Sequence, residues 1–366
     1  SGRIGADSVD NVLQILASSM LAVTTFSLAT MVSAYATASS ATTPRVAELL
    51  IQDSSAQNAL GTFVGSFLFS LVGIIALNAG VYGASGRVVL FVGTIGVIAV
   101  IVVTLLRWID LLARFGRVGD AIDRVEAAAM QAMRARWKHP CIGARMRAGP
   151  APTVAAVTSA KIGYVQHIDV EALEHLAAAA GGEIHVDALP GAFVDTARPI
   201  AWLDFTPDEA TRAAVCAAFN VGARRSFDQD PRFGLIVLSE IASKALSPAI
   251  NDPGTAIATM AALVRVLAIL AEPREAESEI FHPHVFIPAL AVEDLFDDAF
   301  SPISESGAGT LAVGIRLQKT LRALSAFHHP EFRAAARHQS RLALARARHA
   351  LALAEDVARL THEAVA

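Results

Sequence analysis

Charge is scarce at the start of this chain. Of 30 basic and 34 acidic side chains, the first 109 residues hold only four of each sign, leaving 26 and 30 to the remainder. Three windows, 11–44, 54–86 and 88–106, contain no formally charged residue at all. A domain solvated on all sides does not leave such lengths uncharged, and a composition 54% hydrophobic and 17% charged is too apolar for an ordinary soluble enzyme. Cysteine is nearly absent. The isolated Cys141 and Cys216 supply neither a disulfide framework nor a zinc site. Also missing are a glycine-rich phosphate loop, HExxH, GxSxG and paired CxxC, so no motif assigns an enzyme class, a metal or a cofactor. Covalent biotin or lipoate is not expected either, because no lysine stands at the Pro190-Gly191 turn.

What the uncharged windows do contain is length. The 19 residues of 88–106 span about 28 Å as a helix, close to the roughly 30 Å hydrocarbon core of a bilayer. Three transmembrane helices are expected, at about 12–40, 58–81 and 88–108, the last two joined by a tight loop at 82–86. The first lacks a basic leader and is too long for the apolar core of a secretory signal. No acidic residue stands between Glu126 and Asp169, whereas Arg134, Arg136, Lys138, Arg145, Arg147 and Lys161 are basic. Positive flanks stay in the cytoplasm, which puts the C-terminal part inside and residues 1–10 outside. An exterior start of this kind leads us to expect further membrane helices upstream.

The first apolar segment differs from the other two. Ser27, Thr30, Ser33, Thr37 and Ser40 fall within an arc of about 140° at the helical repeat of 100° per residue. Such a face suits a hydroxyl-lined conduit, or close helix packing in which hydroxyls bond their own helical carbonyls. Residues 45–53 read as a short polar helix or loop on the inner surface. From 109 to about 137 an amphipathic helix leaves the membrane, and Arg114, Arg117, Arg134 and Arg136 on it are available to anionic lipid headgroups.

The expected organisation is therefore a membrane α-helical domain (1–109), an amphipathic helix and linker (110–150), a small β-rich module (151–205) and a mainly helical cytoplasmic part (206–366), the last three forming an α+β domain. Residues 161–168, 183–189 and 200–205 read as strands around a helix at 170–180. Thr206 is expected to cap a helix running to about Val221, residues 281–288 to form a short strand, and 330–362 a single amphipathic helix. The arginines of that last helix are spread along it without aromatic interleaving, so nucleic acid is not an expected partner.

Lys244-Ala-Leu-Ser-Pro-Ala-Ile-Asn-Asp-Pro-Gly-Thr-Ala256 breaks two helices apart. Asp230-Pro231 and Asp252-Pro253 read as one device, a carboxylate accepting from the free N–H groups of the first helical turn ahead of a proline that has none. Ser247-Pro248 reads as a hydroxyl version of it, with Ile250 tucked between the helices. A cap has no need of Asn251. Ser247, Asn251, Asp252 and Thr255 are thus either a candidate ligand site, suited to a cation or hydroxylated molecule, or a corner locking two helices.

At these residues "FDQDPRFGLIVLSEIASKALSPAINDPGTA" resembles the signature "DPxFGxxxLxDIAxxALSPGINDPxTA" of a bacterial predicted membrane protein family, domain of unknown function 2254. "LASSMLAVTTFSLATMVSAYATASSATTPR" is similar to the second half of that family's membrane domain, Ile162-Gly-Tyr-Val-Gln-His-Ile-Asp169 to its "SGYVQxID" and Leu189-Pro-Gly-Ala-Phe-Val194 to its "RPGDFV". Ala249, Ala192 and Glu240 depart from the usual Gly, Asp and Asp, and loss of glycine at 249 argues against a left-handed conformation there. The resemblance implies a bacterial inner-membrane location, upstream membrane helices and no established activity.

Three readings of function follow. The first is a homo-oligomeric channel- or transporter-like assembly with a cytoplasmic regulatory or assembly domain. The second is a non-catalytic membrane scaffold or sensor, and the third a membrane-bound enzyme, for which no catalytic residue can be named. His282 and His284, with His328 and His329 or Asp297 and Asp298, are the nearest approach to a metal set, and the spacing assembles no site from them.

Overall fold

The computed structural model describes residues 2–51, 54–114, 117–152, 154–273 and 279–365. The chain divides into two compact units, Ser1–Ala121 and Ile122–Ala366.

The first unit is helical: α1 (Gly2–Ala41), α2 (Pro44–Ile51), α3 (Ser54–Asn78) and α4 (Ala84–Arg114). Stretches of α1, α3 and α4, Val9–Thr37, Ser55–Asn78 and Ser85–Leu112, are each long and apolar enough to cross a bilayer. The helices pack through two small clusters, one around Met20, Phe63, Ile101 and Trp108 and one around Val9, Leu13 and Leu90. Most of the apolar surface faces outward, with Phe26, Val72, Val89, Val92 and Leu106 all exposed. That pattern inverts the rule for water-soluble bundles and suits a hydrocarbon solvent. The expected amphipathic helix from 109 to 137 is instead two helices, since α4 continues to Arg114 and α5 covers Val118–Lys138, with 115–116 outside the described residues.

In the second unit a mixed five-stranded sheet has the order β1 (Ala144–Met146), β8 (His282–Ile287), β4 (Ile184–Val186), β6 (Pro199–Leu203), β2 (Ala155–Thr158). The first two neighbouring pairs are parallel and the last two antiparallel. An antiparallel sheet of three runs β5 (Phe193–Val194), β3 (Gly163–Ile168), β7 (Phe219–Gly222). Strand structure is therefore not confined to 151–205, because β1, β7 and β8 come from outside that range. A short β-strand cannot bury both faces alone, and these distant segments complete the two sheets. Helix α6 (Val170–Ala180) packs on β8 and β4 of the five-stranded sheet, capped by Asp169 at 2.9 Å from the Ala172 N–H and closed by Gly181 at φ 66°. The core includes Val165, Leu173, Ile184, Ile200 and Val285, all fully enclosed.

Helices α7 (Glu209–Ala217), α8 (Pro231–Ala245), α9 (Pro253–Ala268), α10 (Val292–Ser306), α11 (Leu311–Ser325), α12 (Phe332–Ala350) and α13 (Ala354–His362) complete the unit. Three expectations are corrected here. Asp208, not Thr206, caps α7, accepting from the Thr211 N–H at 2.7 Å, and the helix stops at Ala217 so that 219–222 can pair with β3. The final helix is broken at 351–353, where Leu351 and Leu353 are extended. A fourth segment, Pro253–Ala271, is also long and apolar enough to span a membrane. Here, however, Ala256, Met260, Leu263, Val266 and Leu267 are fully buried, with α8 and α11 as neighbours. Gly234 marks a close approach between helices: a Cβ there would lie 2.3 Å from that of Ala129, so α8 meets α5 on a residue without a side chain.

Candidate functional site

The five hydroxyls of α1 do not share one environment. Ser27 is buried in the first unit, Thr30 is half-buried, and Ser33, Thr37 and Ser40 are exposed. Thr30 donates to the Phe26 carbonyl at 2.9 Å, Thr37 to that of Ser33 at 2.9 Å, and Ser40 to that of Thr37 at 2.8 Å. A hydroxyl that back-bonds in this way still has lone pairs free for a neighbour. On the outside of α3 and α4 lies a groove of about 370 Å3, lined by Thr62, Gly65, Ser66, Gly93, Gly96 and Val97 among others.

The turn after α8 is a corner open to solvent. Asp252 accepts from the Thr255 N–H at 3.1 Å and from its hydroxyl at 2.6 Å, the cap expected ahead of Pro253. These bonds, the hydroxyl first, hold the Asp252 carboxyl below its usual range. Ser247 differs from expectation. Its hydroxyl donates back to the Lys244 carbonyl at 2.6 Å and finishes α8, and no helix begins at Pro248. Asn251 has φ 50°, which accounts for its presence: asparagine tolerates the left-handed region that most side chains avoid. The left-handed residue is thus 251 and not 249. Ile250 is not tucked away, being 43% exposed. The four residues are brought together as a self-satisfied corner, its carboxylate already occupied by Thr255.

A second cap proves more interesting. Asp230, at the start of α8, is buried and accepts from the Phe233 N–H at 3.2 Å. Arg225 forks onto the same Oδ2 through Nε and Nη2, each at 2.7 Å, and its guanidinium carbon sits 5.4 Å from the centre of the Phe233 ring. Burial pushes the Asp230 carboxyl up, while the bonds from Arg225 oppose that shift. Gly191 lies against the pair at φ 91°, and a Cβ there would stand 2.3 Å from Asp230 Oδ2.

Arg136 lies near Asp230. It was expected to meet lipid headgroups, but it is only 8% exposed, and its Nη1 has no hydrogen-bond partner among the described residues. Arg117 and Arg134 are exposed, whereas the side chain of Arg114 lies outside the described residues. Desolvation lowers the Arg136 pKa against the opposing influence of Cys141 and Asp230. Burial likewise raises the Cys141 thiol. Arg136 lines a cleft of about 260 Å3 together with Ala132, His139, Ile142, Gln229 and Phe281. One wall is the Pro140–Gly143 turn, in which Cys141 and Ile142 both have positive φ, 53° and 57°. A β-branched residue is strained there. The turn is held by Ile142 N–H to the His139 carbonyl at 3.0 Å and Phe281 N–H to the Gly143 carbonyl at 2.9 Å. Opposite, Asp228 meets His167 at 3.0 Å, and the Gln229 side-chain oxygen accepts from the Ile168 N–H at 2.9 Å. The signal for Arg136 was present in helical phase, since Val125, Ala129, Ala132 and Met133 share its face of α5 and are all buried.

Several other charges form ion pairs between elements. Arg232 of α8 reaches Asp294 at 2.7 Å and Asp298 at 2.6 Å on α10, and Arg265 of α9 forks onto Glu126 of α5. His284 bonds Glu174 at 2.6 Å, and no group of three metal-ligating side chains occurs among the described residues.

An uncharacterised protein of Mycobacterium tuberculosis strain H37Rv is 33% identical over 115 residues, 30% of this chain and 22% of that protein. One from Mycobacterium bovis matches with the same identity and coverage. The matched region therefore spans less than a quarter of these relatives. No solved structure matches the chain. The profile of the predicted membrane protein family DUF2254 matches residues 1–323, well over half the chain, together with its outward-facing apolar helices, and the chain belongs to that family.

Proposed function

We propose that α1, α3 and α4 span the bacterial inner membrane, that the unit from Ile122 onward lies in the cytoplasm, and that copies of the chain assemble into a channel- or transporter-like complex. The soluble unit serves as its regulatory or assembly domain. The observation that carries this reading is the exposure of Ser33, Thr37 and Ser40 on a helix whose other outward residues, such as Phe26, Leu28 and Val32, suit lipid. Acyl chains offer a hydroxyl nothing, whereas a water-filled lumen or a neighbouring helix offers hydrogen bonds. The small-residue groove on α3 and α4 supports assembly, because a further helix can approach closely over Gly65, Gly93 and Gly96. Exposed Arg117 and Arg134 suit anionic headgroups.

Ion flux through liposomes carrying the purified protein tests this. Flux abolished by Thr30→Trp or Ser33→Trp is expected, and well-folded oligomers that conduct nothing would remove the conduit. A non-catalytic scaffold or sensor is the second reading, favoured by Ile250 standing exposed on the 247–255 corner. In that case Ile250→Cys should crosslink between copies on oxidation while the protein stays silent in the flux assay.

A further inference from the structure

Arginine 136 presents an electrostatic imbalance that the fold itself does not resolve. A guanidinium is never deprotonated at physiological pH, and a buried one lacking a partner is strongly disfavoured. The nearby anion, Asp230, is already bonded twice by Arg225 and once by the Phe233 N–H. Cys141 is a thiol whose burial favours the neutral form. Asp228 lies across the cleft but is 66% exposed at its side chain and bonded to His167. Among the described residues, this part of the interior therefore sets the guanidinium groups of Arg136 and Arg225 against the single buried carboxylate of Asp230. One positive charge remains, and it borders a cleft open to solvent.

The walls limit what could neutralise it. Ala132, Ala135, Ile142 and the Phe281 ring are apolar, and His139 meets Phe281 edge-on with ring centres 5.5 Å apart. A volume of about 260 Å3 admits a compact molecule and falls just short of drug-sized pockets, which begin at about 300 Å3. The carboxylate of Asp228 on the rim repels a second negative charge. A guanidinium pairs with a planar carboxylate through two parallel N–H bonds.

We propose that this cleft is a binding site for a small monocarboxylate with a compact apolar or aromatic body, its carboxylate seated on Arg136 and its body against Phe281 and Ile142. His139, also in the lining, supplies a further polar contact, while the Gln229 side chain is held at both ends by the Ile168 backbone. The site belongs to the soluble unit alone and stands whether or not the membrane helices conduct.

The test uses the full chain in detergent, with sodium benzoate as the probe and inorganic phosphate as the comparison, read by calorimetric titration and thermal shift. Wild-type protein should bind benzoate and melt higher in its presence, phosphate producing a smaller shift. Arg136→Met should weaken benzoate binding by about tenfold or more, the loss of a charge-assisted bidentate pair. Without ligand it should melt no lower than wild type, because it removes an uncompensated buried charge; a purely structural arginine would show the opposite. Ala135→Phe, which occupies the cleft from an exposed position and leaves Arg136 intact, should also abolish the shift. Should Arg136→Met fail to fold, this second variant decides alone. No benzoate binding to the wild type, an unchanged shift in Ala135→Phe, or phosphate binding more tightly than benzoate would overturn the proposal.

Discussion

Helices α4 and α9 have nearly the same apolar character and opposite surroundings. Ser85–Leu112 in α4 and Pro253–Ala271, which is α9 with the short turn after it, are each long and apolar enough to cross a bilayer, yet only 17% of the apolar window is buried within the protein in the first, against 44% in the second. The outward residues of α4, such as Val89, Val92 and Leu106, stand more than 60% exposed. Those of α9, among them Leu263 and Val266, are sealed by neighbouring helices. Apolarity measures what a helix avoids, and says nothing of whether lipid or protein supplies the cover.

Alanine at paired positions sharpens this contrast. Leu263→Ala should lower stability by about 2–5 kcal/mol, since the cavity it leaves is enclosed on all sides. Val92→Ala should change it by less than about 0.5 kcal/mol, having nothing packed over it. Denaturant unfolding of the full chain, followed by Trp137 and Trp202 fluorescence for the second unit, measures the first. Equal effects at both sites would mean that the membrane unit has protein cover.

A smaller effect of the same kind separates two glycines. Gly234→Ala forces a Cβ onto Ala129 and should cost about 1–3 kcal/mol by overpacking. Gly65→Ala in α3 meets nothing within 4 Å and should leave the fold unaltered. Its bulkier relative Gly65→Leu should weaken self-association, measured by light scattering in detergent, if a second copy packs over that groove.

The smallest effect concerns the solvent-exposed corner. Asp252→Ala should destabilise the second unit by about 1 kcal/mol, the usual contribution of a helix cap. Because Thr255 holds the folded-state carboxyl below its unfolded value, this stabilisation is complete above the ordinary carboxylate range and is lost as pH falls through the depressed value. Asp252→Asn keeps a capping oxygen and should flatten the acid limb of melting temperature against pH. An unchanged limb would show that other carboxylates dominate acid unfolding.

Much of the first unit was readable because charge and length act locally: between Arg87 and Arg107 lies an uncharged stretch of α4, and no distant residue can alter that. Caps at Asp230 and Asp252 were equally legible, since a carboxylate before proline needs only its own first turn. The sheets were legible only in part. Strands were expected at 161–168, 183–189, 200–205 and 281–288, but β1 is three residues long and lies more than a hundred residues from its partner β8, so the pairing depends on non-local packing. Arg136 was misread for a related reason: its charge suggested an exposed position, while its phase on α5 pointed to the core.

By itself the sequence determined which stretches are uncharged and long enough to cross a bilayer and where Asp230 and Asp252 cap helices, because these depend on composition and on contacts a few residues apart. Tertiary structure alone decided that α9 lies inside the protein and that Arg136, buried and with no partner for its Nη1 among the described residues, borders a cleft. Burial is a property of neighbours, and neighbours in space are set by packing between segments that the chain keeps far apart.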